Sequence, residues 1–267
     1  EFASMWNAAG SKVTLLIRKD RVLSAWDRRA GTTLTRELKR HGVNIITRAS
    51  VTHVDTGANL GATVHYTREG QDGEQSVWGE IALVAIGRDP ITDPAWGVTI
   101  DDHGHVATDA YGRTDKPGVW AVGDVTAGHA LAHRAFEQGI VIAETIAGLN
   151  PKPVDEATVP QIVFSFPEAA SVGLTVEQAQ AREDLIEIKE TNYPMLANAR
   201  MLMSGTAGSL TLVSGCDATN PDTPRVLGVH MVSQMASDII AEAEQLVGNR
   251  VPLADAARLV HPHPTFS

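Results

Sequence analysis

A chain of 267 residues, 43% hydrophobic and 20% charged, carries enough apolar surface for one large or two ordinary cores. Its 32 acidic against 22 basic residues leave a net charge of -10, which disfavours nonspecific binding to nucleic acid. The longest apolar run, IALVAI at 81–86, is too short to span a membrane, no basic start followed by an apolar stretch marks a secretory signal, and the single Cys216 excludes an internal disulfide; a cytoplasmic protein without membrane contact is expected.

The first residues, EFASMWNAAG, place Phe2, Met5, Trp6 and Ala9 at helical spacing, so a helix entered partway and closed by Gly10 is predicted. Val13, Leu15, Leu16 and Ile17 read as a short buried strand of a parallel sheet. The segment GTTLTRELKRHG, with Leu34 and Leu38 four residues apart and Gly42 behind it, predicts a second helix feeding the strand VNIIT. ATVHYT, the charged turn REGQDGEQ and EIALVAIG predict a hairpin-like excursion followed by another buried strand at 81–86. Residues 1–86 thus read as most of a nucleotide-binding α/β domain.

From Gly87 the texture changes. GRDPITDPAWG is a proline-broken connection, HVATD a short strand, and VWAV at 119–122 a buried strand ending in Gly123-Asp124. Glycine lets a ligand approach the backbone, and a carboxylate at the carboxyl end of a strand suits hydrogen bonds from sugar hydroxyls. Gly-Asp alone is also a common turn. The following HALAHRAFEQGIVIAETIAG predicts a long helix. Ala132, Ala135, Gly139 and Ala143 would permit close packing on a sheet or cofactor, and the amino end would aim N–H groups at the Asp124 loop. In the last third, SLTLVS and RVLGVHMVS read as strands flanking a turn-like loop that holds an incidental Cys216, and ASDIIAEAEQLVGN as a helix with Ile239, Ile240, Ala243 and Leu246 on one side. His230 reads as a packed residue, and Asn198 and Arg200 of NYPMLANAR as structural ones.

Four segments in order carry a resemblance. TDKPGVWAVGDVTAGHALAHRAFEQG resembles the second flavin-binding motif of the pyridine-nucleotide disulfide oxidoreductases. VAIGRDP resembles their A-I-G-R-x-P junction, VPQIVFSFPEAASVGLT the entry to their interface domain, and HPHPTFS at 261–267 their terminal H-P-T-x-S-E motif; the initial EF resembles the end of their dinucleotide loop. The resemblance implies an α/β chain: a Rossmann-like dinucleotide-binding domain over 1–86, part of the FAD domain over 87–152, and an α+β dimerisation domain with antiparallel sheet over 153–267. It also implies a fragment that lacks an upstream flavin loop and a redox-active cysteine pair, a role Cys216 does not fill.

The family moves electrons between NAD(P)H and a dithiol or disulfide through FAD and that cysteine pair. By resemblance, His263 is the acid/base toward the substrate thiol, acting across a homodimer on the partner's cysteines; imidazole suits the task because it titrates near neutral pH. Asp124 would hold the flavin ribityl chain, with Leu131, Ala132 and His133 near the ring. Val51, Ala85, Ile86, Gly87 and Arg88 would contact the nicotinamide dinucleotide, and Glu1 would lie near the nicotinamide ring. Where NAD-preferring members carry an acidic residue, this chain has Ile17 followed by RKDR; Arg18, Lys19 and Arg21 would hold a 2′-phosphate, which favours NADP over NAD, or form a solvated loop. The paired histidines of the end motif resemble the dihydrolipoyl dehydrogenase pattern. Oxidation of a small-molecule or lipoyl-domain dithiol, with a possible place in a 2-oxoacid dehydrogenase complex, is therefore expected. The alternatives are NADPH-dependent disulfide reduction of the glutathione or mycothione type, mercuric reduction, or a noncatalytic flavin-binding or dimerisation module. A further rival pairs His261 and His263 as metal ligands on one face of an extended segment, but no third ligand stands at recognisable spacing, so no metal is expected.

Overall fold

The helix that organises the amino-terminal segment begins at a buried carboxylate. Asp27, 3% exposed, caps α2 (Arg28–Arg40) by accepting the N–H of Ala30 at 2.8 Å. A short helix, α1 (Phe2–Ala8), and the strand β1 (Thr14–Ile17) precede it, and β2 (Asn44–Thr47) follows. β1 and β2 pair in parallel from Thr14↔Asn44 to Ile17↔Thr47, so α2 is the crossover of a βαβ unit. The chain then forms an antiparallel meander of β3 (Ala49–Asp55), β4 (Ala62–Arg68) and β5 (Glu74–Gly79). The computed structural model describes residues 1–57 and 60–267.

The chain divides into two compact units, one of residues 1–83 with 160–267 and the other of 84–159. The second unit contains one long helix, α3 (Ala132–Ile146), and is otherwise held by aspartate turns. Asp101 accepts the N–H groups of His103 and His105, Asp109 those of Tyr111 and Arg113, and Asp115 the N–H and hydroxyl of Thr99. The His105 amide for Asp101, and the Thr99 hydroxyl for Asp115, hold these carboxyls below the usual range.

Three strands expected from sequence do not form. Residues 81–86 are irregular, with Ile81, Val84 and Ile86 at 75%, 67% and 91% exposure; HVATD and VWAV contribute isolated bridges, Ile100↔Val106 and Arg113↔Trp120. Apolar β-prone runs become strands only where a neighbouring strand receives their N–H and C=O groups, and the structure offers these runs no ladder.

The remaining elements are β6 (Gln161–Val163), β7 (Glu168–Gly173), α4 (Val176–Gln180), β8 (Leu185–Pro194), α5 (Ala199–Ser204), β9 (Ser209–Asp217), β10 (Asn220–Ser233), α6 (Ala236–Gly248) and α7 (Leu253–Ala256). The five strands form an antiparallel sheet in the order β6-β7-β10-β9-β8. One face packs on α6 through Val172, Val229, Met231, Ile240 and Ala243. Ala169 and Val232 join Ala30, Leu34 and Leu38 of α2 in a second cluster, and Thr211 Oγ1 donates to Asp27 Oδ1 at 3.3 Å. Cys216 corrects its expected place: it lies in β9, fully buried, rather than in a loop, because the strand extends through it to Asp217. His230 is 1% exposed between the Ser171 hydroxyl (2.7 Å) and the Leu174 carbonyl (3.0 Å), and burial pushes its pKa down. Its Nε2–H therefore donates to Leu174 and its Nδ1 accepts from Ser171.

At the end of β9, Asp217 accepts from Arg225 of β10 and from Arg250 beyond α6. Arg225 first, then Arg250, bring its carboxyl from 3.8 to about 2. A lowered carboxylate stabilises the fold above its unfolded value and loses that contribution as pH falls toward the folded one. With both arginines near the surface the contribution is about 1–2 kcal/mol. Acid unfolding followed by circular dichroism between about pH 4 and 2 is expected to shift to higher pH in Asp217→Asn; an unchanged midpoint would refute the assignment.

Candidate functional site

Gly123 and Asp124 occupy a single 3-10 turn, Gly123–Val125. Gly123 has φ +79°, its N–H donates to Gln138 Oε1 of α3 at 2.9 Å, and a Cβ added to it would meet the Ala135 methyl at 3.5 Å. The helix therefore braces the turn, and Asp124 projects from it as an exposed side chain. Its neighbours Val122 and Val125 line an apolar crevice of about 490 Å³ together with Trp96, Val106, Val119 and Trp120. Trp120 Nε1 is buried there without a hydrogen-bond partner.

The amino end of α3 supplies the complementary charge. Leu131 stands at the N-cap in an extended conformation and makes no side-chain cap hydrogen bond, and Ala132 and His133 open the first turn. An uncapped helix start attracts an anion or an electron-rich ring. Sequence reasoning missed Arg134, one residue further on. It is 3% exposed, donates through Nε to Glu156 (2.6 Å) and through Nη2 to the Ala127 carbonyl (2.6 Å), and fixes the loop between Asp124 and the helix. Gly128, at φ +125°, is required there, since a Cβ would lie 2.3 Å from the Arg134 guanidinium. Little in the sequence signals it, since Glu137 and Gln138 follow at i+3 and i+4 and the face reads as solvated. Of the foreseen stripe of small residues, the Ala135 methyl is the one that faces Gly123.

Ala85, Ile86, Gly87 and Arg88 belong to the same unit as Asp124, in an irregular exposed segment where Gly87 has φ +131°. The remaining candidates lie in the other unit. Arg18 and Lys19 are exposed at the carboxyl end of β1, and the Lys19 carbonyl accepts the N–H of Arg48 at 3.0 Å. Arg21 is engaged elsewhere, with Asp20 (3.0 Å) and the Ser24 carbonyl (3.2 Å). Val51, on β3, is 50% exposed, and Glu1 accepts the backbone N–H of Phe164 at 2.9 Å.

The terminal segment is anchored at several points, although it carries no regular structure. Asn198 caps α5 through Oδ1 and donates from Nδ2 to the Thr265 carbonyl at 3.0 Å. Arg200 lies 5.7 Å from the Phe266 ring centroid, and Thr265 Oγ1 donates to the Pro262 carbonyl at 2.7 Å. His261 Nε2 is 2.6 Å from Glu242 Oε1, while His263 is exposed between these anchors. Asn198 and Arg200 thus both contact the terminal segment.

Residues 1–139 match the sequence model of the pyridine nucleotide-disulphide oxidoreductases, and residues 159–267 match the model of that family's dimerisation domain. The chain belongs to this family. Over its whole length it is 36% identical to a dihydrolipoyl dehydrogenase of Cupriavidus necator and 33% identical to one of Bacillus subtilis, covering 55% and 56% of those proteins. It therefore spans about half the length of the curated relatives it matches. Among solved structures it superposes on LpdA of Mycobacterium tuberculosis with a TM-score of 0.87 at 28% identity, covering all of this chain and 56% of that one. The HOCl-induced flavoprotein disulfide reductase RclA of Escherichia coli gives 0.84 at 25% identity, with 99% of this chain and 59% of that one covered. This member of the family shares with those structures its mixed helix and sheet and the antiparallel sheet of the dimerisation region. No helix among the described residues is long and apolar enough to cross a membrane.

Proposed function

We propose that this chain is the carboxy-terminal part of an FAD-dependent dihydrolipoyl dehydrogenase. The observation that carries the reading is the 36% identity to such an enzyme along the entire chain. Residues 1–86 contribute to the nicotinamide-dinucleotide domain, 87–152 to the FAD domain and 153–267 to the dimerisation domain. FAD, when bound, supplies the relay of electrons between nicotinamide and disulfide. The residues present suit it chemically: Asp124, exposed beside a crevice, accepts hydrogen bonds from a sugar-alcohol chain, and the positive end of the α3 dipole, at Leu131, Ala132 and His133, favours negative charge on a ring. Val51, Ala85, Ile86, Gly87 and Arg88 contact the nicotinamide dinucleotide, and Glu1 stands by its ring.

His263 takes the proton of a substrate dithiol and returns it. The enzyme is a homodimer in which His263 serves the partner's cysteine pair; the exposed Leu202, Met203 and Val260, at 67%, 72% and 97%, supply apolar surface for that contact. Its substrate is a free or lipoyl-domain dithiol, as in a 2-oxoacid dehydrogenase complex, in a cytoplasmic setting. A second reading, an NADPH-dependent disulfide reductase, is favoured by the exposed cations Arg18 and Lys19 after β1.

The test is steady-state turnover by the full-length protein of dihydrolipoamide with NAD+ or NADP+, against oxidised glutathione or mycothione with NADPH. Dithiol oxidation is expected. Turnover of the disulfides alone would select the second reading, and a protein without flavin absorbance would refute both.

A further inference from the structure

The antiparallel meander of β3, β4 and β5, which has no role in the reading above beyond Val51, gathers two imidazoles and two carboxylates on one exposed face. A bulge brings this about. The β3–β4 pairing runs Val51↔Tyr66 and then His53↔His65, so Thr52 is an extra residue on β3. Without it His65 would face Thr52; with it the two histidines stand directly opposite, their rings stacked with centroids 4.1 Å apart and planes 8° apart. Asp55, two residues along β3, points to the same face, and Glu74 of β5 lies diagonally across from His65, whose direct partner is Ser76.

The two ends of the stacked pair differ. At one end Asp55 Oδ2 lies 3.1 Å from His65 Nε2 and 3.8 Å from His53 Nε2. At the other, the Glu74 carboxylate lies 3.6 Å from His65 Nδ1 and 3.8 Å from His53 Nδ1, and accepts the Thr52 hydroxyl at 2.7 Å. The shorter Asp55 contact favours a proton on His65 Nε2 in the metal-free arrangement, and a bound cation takes its place.

We propose that His53, His65 and Asp55 bind one divalent transition-metal cation, of the Zn2+ or Cu2+ class, through the two Nε2 atoms and a carboxylate oxygen. One ligand atom from each of the three lies within 4.8 Å of the others. A cation with bonds of about 2.0–2.2 Å requires the two stacked rings to turn until their Nε2 atoms converge on it. Two imidazole nitrogens select against Mg2+ and Ca2+, which take oxygen ligands, and three protein ligands leave a position for water. Glu74 is a positioning residue: it accepts the Thr52 hydroxyl that lies 3.2 Å from His53 Nδ1, and its carboxylate lies 3.6 Å from His65 Nδ1. The bland alternative, a histidine stack neutralised by two surface acids, predicts no metal-dependent signal.

The test is titration of the full chain with Zn2+ by calorimetry and with Cu2+ by electron paramagnetic resonance. Wild type is expected to bind one equivalent that His65→Asn loses, with the two-nitrogen Cu2+ hyperfine pattern lost as well. Glu74→Gln is expected to keep the stoichiometry and weaken affinity about tenfold. Asp55→Asn, at a position whose side chain is 64% exposed, is the folding-neutral variant should His65→Asn misfold, and is expected to lower affinity at least as much. No bound equivalent in wild type, or the same stoichiometry and affinity in wild type and these variants, as binding at other histidines would give, overturns the proposal.

Discussion

His263→Ala in the full-length protein is expected to lower kcat for dithiol oxidation by about two to four orders of magnitude, the range of general acid–base contributions. A dithiol reacts as its thiolate, so a base must take a proton near neutral pH and return it, and an unperturbed imidazole titrates there. The variant should leave the terminal segment in place, because its anchors belong to other residues: Asn198 to the Thr265 carbonyl, Arg200 to Phe266, and Glu242 to His261. The flavin spectrum is then unchanged while turnover collapses. His261→Ala, which breaks the contact with Glu242, is expected to cost less than tenfold, about 1.4 kcal/mol in barrier terms. Equal activity of His263→Ala and wild type would remove this histidine from the mechanism.

Gly173→Ala is expected to destabilise the dimerisation sheet by about 3 kcal/mol or more. Gly173 ends β7 at φ +80°, opposite Gly228 of β10. A methyl there would stand 2.3 Å from the Leu227 carbonyl oxygen and 2.6 Å from the Gly228 Cα, both main-chain atoms that no rotamer can move. Relief requires β7 and β10 to part where Leu174 N–H donates to Leu227 O at 2.9 Å, next to the buried His230 that bonds the Leu174 carbonyl. Urea unfolding monitored by circular dichroism measures the loss as a drop in midpoint at unchanged slope. A midpoint within error of wild type would show that the sheet yields more easily than this packing implies.

The sequence by itself determined what local chemistry determines. The helix read over 31–42, the parallel pair it joins, the long helix after Asp124 and the helix carrying Ile240 all announce themselves through apolar spacing and glycine stops, and each forms, the first of them beginning earlier, at Arg28, behind the Asp27 cap. The ordered motifs around Asp124, Gly87 and His263 likewise made the family legible, since side-chain chemistry at fixed order survives without coordinates. Tertiary structure decided the rest. The runs at 81–86 and 119–122 look like strands, but a strand is a property of its neighbours, and no ladder reaches them. Arg134 as the brace of the Asp124 loop, Cys216 as a sealed core thiol, and the meeting of His53 with His65 across a bulge depend on which distant residues share space. Residue order does not encode those contacts until burial and register are fixed.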